Sequence, residues 1–111
     1  MAYDERVAER IRDLLSGESD VTEKKMFGGL AFLVGGNMAV AASGQGGLLV
    51  RVDPAESEKL TQASNVRLME MRGRLMQGWL RVASDEVRTK RQLAKWVRLG
   101  TSYARSLSSK R

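Results

Sequence analysis

The sequence predicts an α+β domain, a two-layer α/β sandwich in which helices cover one face of a five-stranded, mainly antiparallel sheet. Three observations carry that expectation. Apolar residues recur at helical spacing at both ends of the chain, in Val7–Leu15 and again in Leu93–Leu107. Between them, from Val21, the texture changes to strand-length apolar runs split by glycines. The whole chain is 111 residues, enough for one modest core, with neither a linker nor a repeat to mark a boundary. The expected order is α-β-β-β-α-β-β-α in a single domain over residues 1–111, with the closing "SSKR" frayed.

In "YDERVAERIRDLLSG", Val7, Ile11, Leu14 and Leu15 form one stripe, with Ala8 beside them. Asp4 and Glu5 suit the positive end of the helix dipole, and Gly17 suits the stop. "KKMF", "LAFLV", "MAVAA" and "LLVRV" follow, with "GGN" and "SGQGG" as turns between them. Gly28 and Gly29 sit inside a strand-like run, which suggests a bulge or kink in place of a reversal. Asp53-Pro54-Ala55-Glu56 opens a short helix: Asp as N-cap, Pro in the first turn, Glu third. That helix turns Leu60 inward and ends near Ala63. "VRLMEM" and "MQGWLRV" are the last two strands, joined at "RGRL". Thr89-Lys90-Arg91-Gln92 is a capping box for the final helix, whose stripe is Leu93, Trp96, Val97, Tyr103, Ala104 and Leu107. Gly100 interrupts that stripe where another element can come close.

Composition excludes much chemistry. The chain has no cysteine and no histidine, which removes disulfides, thiolate catalysis, cysteine-ligated zinc and the commonest general base. No acidic cluster has the spacing of a carboxylate metal site, so neither metal nor cofactor is expected. The N-terminus lacks the apolar core of a signal peptide and no run is long enough to span a membrane, so a cytoplasmic protein is expected. Serines and threonines lie in turns and caps, where backbone hydrogen bonding accounts for them, and a non-enzymatic protein is expected. The glycines fit neither the Walker pattern, which ends in Gly-Lys-Ser/Thr before a helix, nor the dinucleotide pattern. They turn the chain between strands.

With the order of elements and "KKMFGGLAFLVGGNMAV" in view, the chain resembles the N-terminal domain of the TfoX/Sxy family, regulators of competence genes in bacteria. The resemblance covers about Tyr3 to Lys110. It rests on Lys25-Met26-Phe27-Gly28-Gly29, on Gly36-Asn37-Met38-Ala39, on Leu49-Val50-Arg51-Val52, and on "MRGRLMQGWLRV", where the family's Gly-Arg-x-Met-x-Gly pattern appears. "LAKWVRLGTSYARSLSSK" is similar to the family's closing helix. The resemblance implies the two-layer fold and a part in transcriptional control, through assistance to another regulator. The full regulators carry a second, C-terminal domain, which this chain does not supply, so competence control itself is not implied for it.

A sheet covered on one side leaves the other for contact. Alternation puts Leu48, Val50, Val52, Leu80 and Val82 toward the helices and collects Leu49, Arg51, Trp79 and Arg81 on the opposite surface. That surface can stack nucleic acid, form a protein interface, or hold Trp79 satisfied within its own domain. Two Phe, two Tyr and two Trp are too few for a stacking platform, so the interface reading leads. Met69, Met71 and Met76 read first as filling gaps in a core and second as an adaptable binding surface. A homodimer through the bare face or an edge strand is expected, with Glu70 the candidate counter-charge for Arg51 and Arg81.

Charge adds a rival. Residues up to Met71 hold 8 basic and 11 acidic side chains, a net of −3; from Arg72 onward 11 basic and 2 acidic give +9. Lys24, Lys25, Arg72 and Arg74 at turns, with Lys90, Arg91, Lys95 and Arg98 on the non-apolar arc of the last helix, are candidate phosphate contacts for nucleic acid. Arg105 shares that arc. No helix-turn-helix, zinc finger or RNA-binding motif accompanies them.

Overall fold

The computed structural model describes residues 3–26, 28–62 and 65–107. Phe27 in the first run, the end of the second helix near Ala63 and the tail 108–111 lie outside the described residues.

Helix α1 runs Glu5–Leu15; the Asp4 side chain accepts from the Arg6 N–H, and Ala8, Ile11 and Leu15 are buried. It stops without a glycine cap. Ser16 closes it in right-handed conformation, and Asp20 (φ 62°), not Gly17, adopts the left-handed one. Strands β1 (Val21–Met26), β2 (Gly29–Val34), β3 (Asn37–Ala42) and β4 (Leu48–Arg51) follow. Asp53 then caps a 3₁₀ turn at Pro54–Glu56 by accepting from Ala55 N–H, leading into α2 (Ser57–Leu60). Strands β5 (Val66–Met71) and β6 (Arg74–Val82), a 3₁₀ turn at Ser84–Val87, and α3 (Lys90–Ser106) complete the chain. The capping box at Thr89 is present in both directions, Thr89 to the Gln92 backbone and Gln92 to the Thr89 backbone.

The sheet has six strands, not five, all paired antiparallel in the order β1-β2-β3-β4-β6-β5. The difference lies at Gly28-Gly29, expected as a bulge. Met26 pairs with Gly29, so the chain reverses there, with Gly28 at φ 73°. A strand-like texture on both sides of a glycine pair is common to a bulge and a tight hairpin, and sequence alternation does not separate them.

One hydrophobic cluster joins Ala8, Ile11 and Leu15 of α1, Leu93, Trp96 and Val97 of α3, and the sheet residues Leu30, Phe32, Val40, Leu48, Val50, Leu80 and Val82, with Leu60 of α2 packed against it. The helices thus share one face, as the alternation of the strands anticipated. α3 reaches the sheet closely at one point. A Cβ on Gly100 would stand 2.4 Å from the Ala39 carbonyl oxygen. Ala39 is the extra residue of a bulge, since Phe32 pairs with Val40 but Leu33 with Met38.

A second irregularity shapes the other face. Leu68 pairs with Leu80 whereas Met69 pairs with Met76, so Gln77, Gly78 and Trp79 are extra residues in β6. Gly78 takes φ 86°, donates its N–H to Ser57 Oγ at 2.6 Å, and accepts from Val52 N–H at 2.8 Å. The β5–β6 hairpin bends at this point. Its methionines Met69, Met71 and Met76 join Ala31, Met38, Ala41, Leu49 and Trp79 in a second cluster on the face away from the helices.

Candidate functional site

The register assembles the second face row by row. Lys24 pairs with Ala31, Ala31 with Ala41, Ala41 with Leu49, Leu49 with Arg81 and Arg81 with Arg67, one row across all six strands. In the next row Arg51 pairs with Trp79. Leu49, Arg51, Trp79 and Arg81 are therefore neighbours, as strand alternation requires.

Their exposure differs from expectation. Leu49 is 1% exposed and Ala31 and Ala41 are equally covered, although among the described residues their cluster holds no helix side chain. The bent hairpin and its methionines fill this side. Leu49 is a core residue and not part of a surface. Arg51, Trp79 and Arg81 are half-buried. The Arg51 guanidinium lies 5.1 Å from the Trp79 ring centre and 5.6 Å from that of Tyr103, on α3. Arg81 Nη1 donates to Ser43 Oγ at 3.3 Å. Glu70 pairs ionically with neither Arg51 nor Arg81 among the described residues.

The methionines divide. Met38 and Met69 are buried and fill the cluster, while Met26, Met71 and Met76 are half-buried at its rim. Beyond them the hairpin tip carries Leu75, 63% exposed and the one large hydrophobic so exposed among the described residues. Arg72 (φ 54°) and Gly73 (φ 77°) form the two-residue turn beside it, with Met71 paired to Arg74. Both turn arginines are exposed.

The basic residues form three separate groups. Lys24 and Lys25 are exposed on edge strand β1, Arg72 and Arg74 on the hairpin tip, and Lys90, Arg91, Lys95 and Arg98 on the outer arc of α3. None of these eight forms an ion pair among the described residues. Lys95 Nζ lies 4.9 Å above the Trp96 ring, whose own residue is 2% exposed and belongs to the core. Arg105, on the same arc by sequence, is engaged with Glu18 Oε1 at 2.8 Å and the Ser19 carbonyl at 2.9 Å.

Arg67 was missed in the sequence. It faces Arg81 across β5 and β6, and the two line a cleft of about 360 Å³ with Gln45, Asn65 and Ser84. The signal was register, which no periodicity within one strand contains. Among the described residues there is no group of three or more metal-ligating acids, and no helix is long and apolar enough to cross a membrane.

No curated protein and no solved structure matches the chain. The profile of the TfoX N-terminal domain matches residues 13–104. That family is not a known enzyme family. With so much of its length matched, the chain belongs to the TfoX N-terminal domain family and carries a competence-regulator-like domain.

Proposed function

We propose that this is a non-enzymatic regulatory domain of the cytoplasm that acts through protein–protein contacts made by the β5–β6 hairpin and the rim of the second face. The observation that carries this reading is the hairpin tip. Exposed Leu75 stands between Arg74 and half-buried Met76, beside the turn arginine Arg72. Arginine and methionine are enriched in contact patches, an exposed leucine adds apolar area beside them, and methionine adapts its shape to a partner. A chain with net charge +6 favours a partner with an acidic surface, such as another transcription regulator. The sequence leads to a homodimer through the bare face carrying Leu49 and Trp79 or through an edge strand; Leu49 is buried, and the hairpin with its edge strand β5 is the surface we assign to any pairing of two copies. Sedimentation at micromolar concentration, wild type against Leu75→Glu and Trp79→Glu, separates the two. A dimer lost in Leu75→Glu places self-association on the hairpin. A monomer throughout leaves the hairpin to a different protein.

The rival reading is nucleic-acid association. Its support is that Lys90, Arg91, Lys95 and Arg98 form an exposed arc with no ion pair among the described residues. Phosphate contacts release counterions, so this reading demands affinity that falls steeply with salt.

A further inference from the structure

Arg67 and Arg81 stand directly opposite on paired antiparallel strands, their side chains on the same face. Opposed residues of such a pair hold their Cβ atoms about 5 Å apart, and like charges placed so destabilise the sheet. The usual relief is a carboxylate between them. Among the described residues neither arginine has one within ion-pairing distance. Glu86 accepts from the Asn65 side-chain amide at 3.4 Å, and Glu70 shares an adjoining cleft with both arginines but forms an ion pair with neither among the described residues.

The space between the arginines and the β3–β4 loop is a cleft of about 360 Å³, with Gln45, Asn65 and Ser84 as its neutral polar groups. That volume lies within the range of small-molecule sites. Arg81 is held in place: half-buried, with its Nη1 donating to Ser43 Oγ, which also accepts from the Gln45 N–H at 3.1 Å. One anchored and one exposed arginine line a recess that also holds amide side chains and a hydroxyl. Guanidinium forks match the oxygens of a phosphate group.

We propose that this cleft binds the phosphate group of a small phosphorylated molecule, whose negative charge offsets the repulsion of the arginine pair. Among the described residues, the cleft and its neighbour are lined by no cation besides Arg67 and Arg81. The other candidate cations lie on β1, the hairpin tip and α3. Two adjacent charges suit one phosphate or diphosphate group, whereas a nucleic-acid strand needs a track of them.

The test is a nuclear magnetic resonance titration of the isotope-labelled protein with inorganic phosphate and with pyrophosphate, at physiological chloride concentration. Saturable shifts are expected at the amides of Gln45, Gly46, Arg67 and Arg81. Arg67→Gln and Arg81→Gln should each weaken binding by at least about tenfold, the scale of a lost charge-assisted hydrogen bond. Arg98→Gln should leave it unchanged. Arg67 is exposed, so its variant keeps the proposal testable even where Arg81→Gln unfolds. The absence of saturation with either anion, or equal binding by Arg67→Gln, overturns the proposal. A second titration uses a single-stranded oligonucleotide. Tighter binding than pyrophosphate, with shifts spread over β1 and α3, assigns these arginines to a polymer and overturns it as well.

Discussion

The Arg51 guanidinium lies 5.1 Å from the centre of the Trp79 ring, its cross-strand partner on β6, and 5.6 Å from that of Tyr103 on α3. One cation thereby links two strands and a helix. It sits where β6 begins its bend, since Trp79 is the last of the three extra residues that send the hairpin across the second face. Arg51→Ala should cost about 1 to 2 kcal/mol, the scale of a partly desolvated cation–π contact, read from the denaturant midpoint. A change below a few tenths would remove Arg51 from the account of the bend.

The two tryptophans should separate by stability. Trp96 is 2% exposed among Leu93, Val97 and the sheet, so Trp96→Ala should cost roughly 3 to 5 kcal/mol. Trp79 is half-buried, and Trp79→Ala should cost clearly less. Equal losses at both positions, with no change in association, would make Trp79 a core residue like any other.

Gly100 and Gly78 test the two irregularities of the sheet. At Gly100→Ala the new methyl meets the Ala39 carbonyl at 2.4 Å, a backbone atom that can yield only if α3 lifts from the β3 bulge. At least about 1 to 3 kcal/mol of overpacking strain is expected, measured by thermal or urea unfolding. Gly78→Ala combines φ 86° with a 3.0 Å approach to the Val52 carbonyl oxygen. It should loosen the hairpin and expose the methionine cluster, which peptide mapping after mild peroxide treatment detects as faster oxidation of Met38 and Met69. In the wild type, half-buried Met71 and Met76 should oxidise before these two.

How far the sequence alone carried the fold follows from the same residues. Periodicity within a segment placed α1, α3, the capping box at Thr89 and the inward row Leu48, Val50, Leu80 and Val82, and it marked Gly100 as a point of close approach. These are local properties, and local spacing determines them. Parity put Leu49 on the correct face but did not determine what covers that face. Coverage comes from a bend of three extra residues in β6, and a bulge leaves no mark on alternation beyond a permissive Gly78. The Arg67–Arg81 pair depends on register between strands, which is likewise not a property of either strand alone. The 3₁₀ turn at Ser84–Val87 has no apolar period to announce it.

A pH dependence follows from the link between α1 and β1. Arg12 Nε and Nη2 donate to the Glu23 carboxylate at 2.6 and 2.9 Å. These hydrogen bonds to the charged form, with the attraction of the guanidinium, hold Glu23 below its ordinary 4.5 against the opposing effect of burial. A carboxylate lowered in the folded state stabilises it above the unfolded value, and that stability is lost as pH falls through the folded value. Both side chains are over a third exposed, so solvent screening limits the pair to about 1 kcal/mol at most. Urea midpoints measured from neutral pH down through the glutamate range should show this loss in wild type and a flatter profile in Glu23→Gln. Identical profiles would mean that the pair contributes nothing.

A domain that works through protein contact and does not hold nucleic acid should leave DNA unbound. Fluorescence anisotropy of a labelled DNA duplex, titrated with the domain across a series of salt concentrations, measures this. No saturation is expected below roughly 100 µM at physiological salt, the weak limit of non-specific binding. Micromolar affinity at that salt, falling steeply as salt is raised and relieved by neutralising Lys90, Arg91, Lys95 and Arg98, would contradict it.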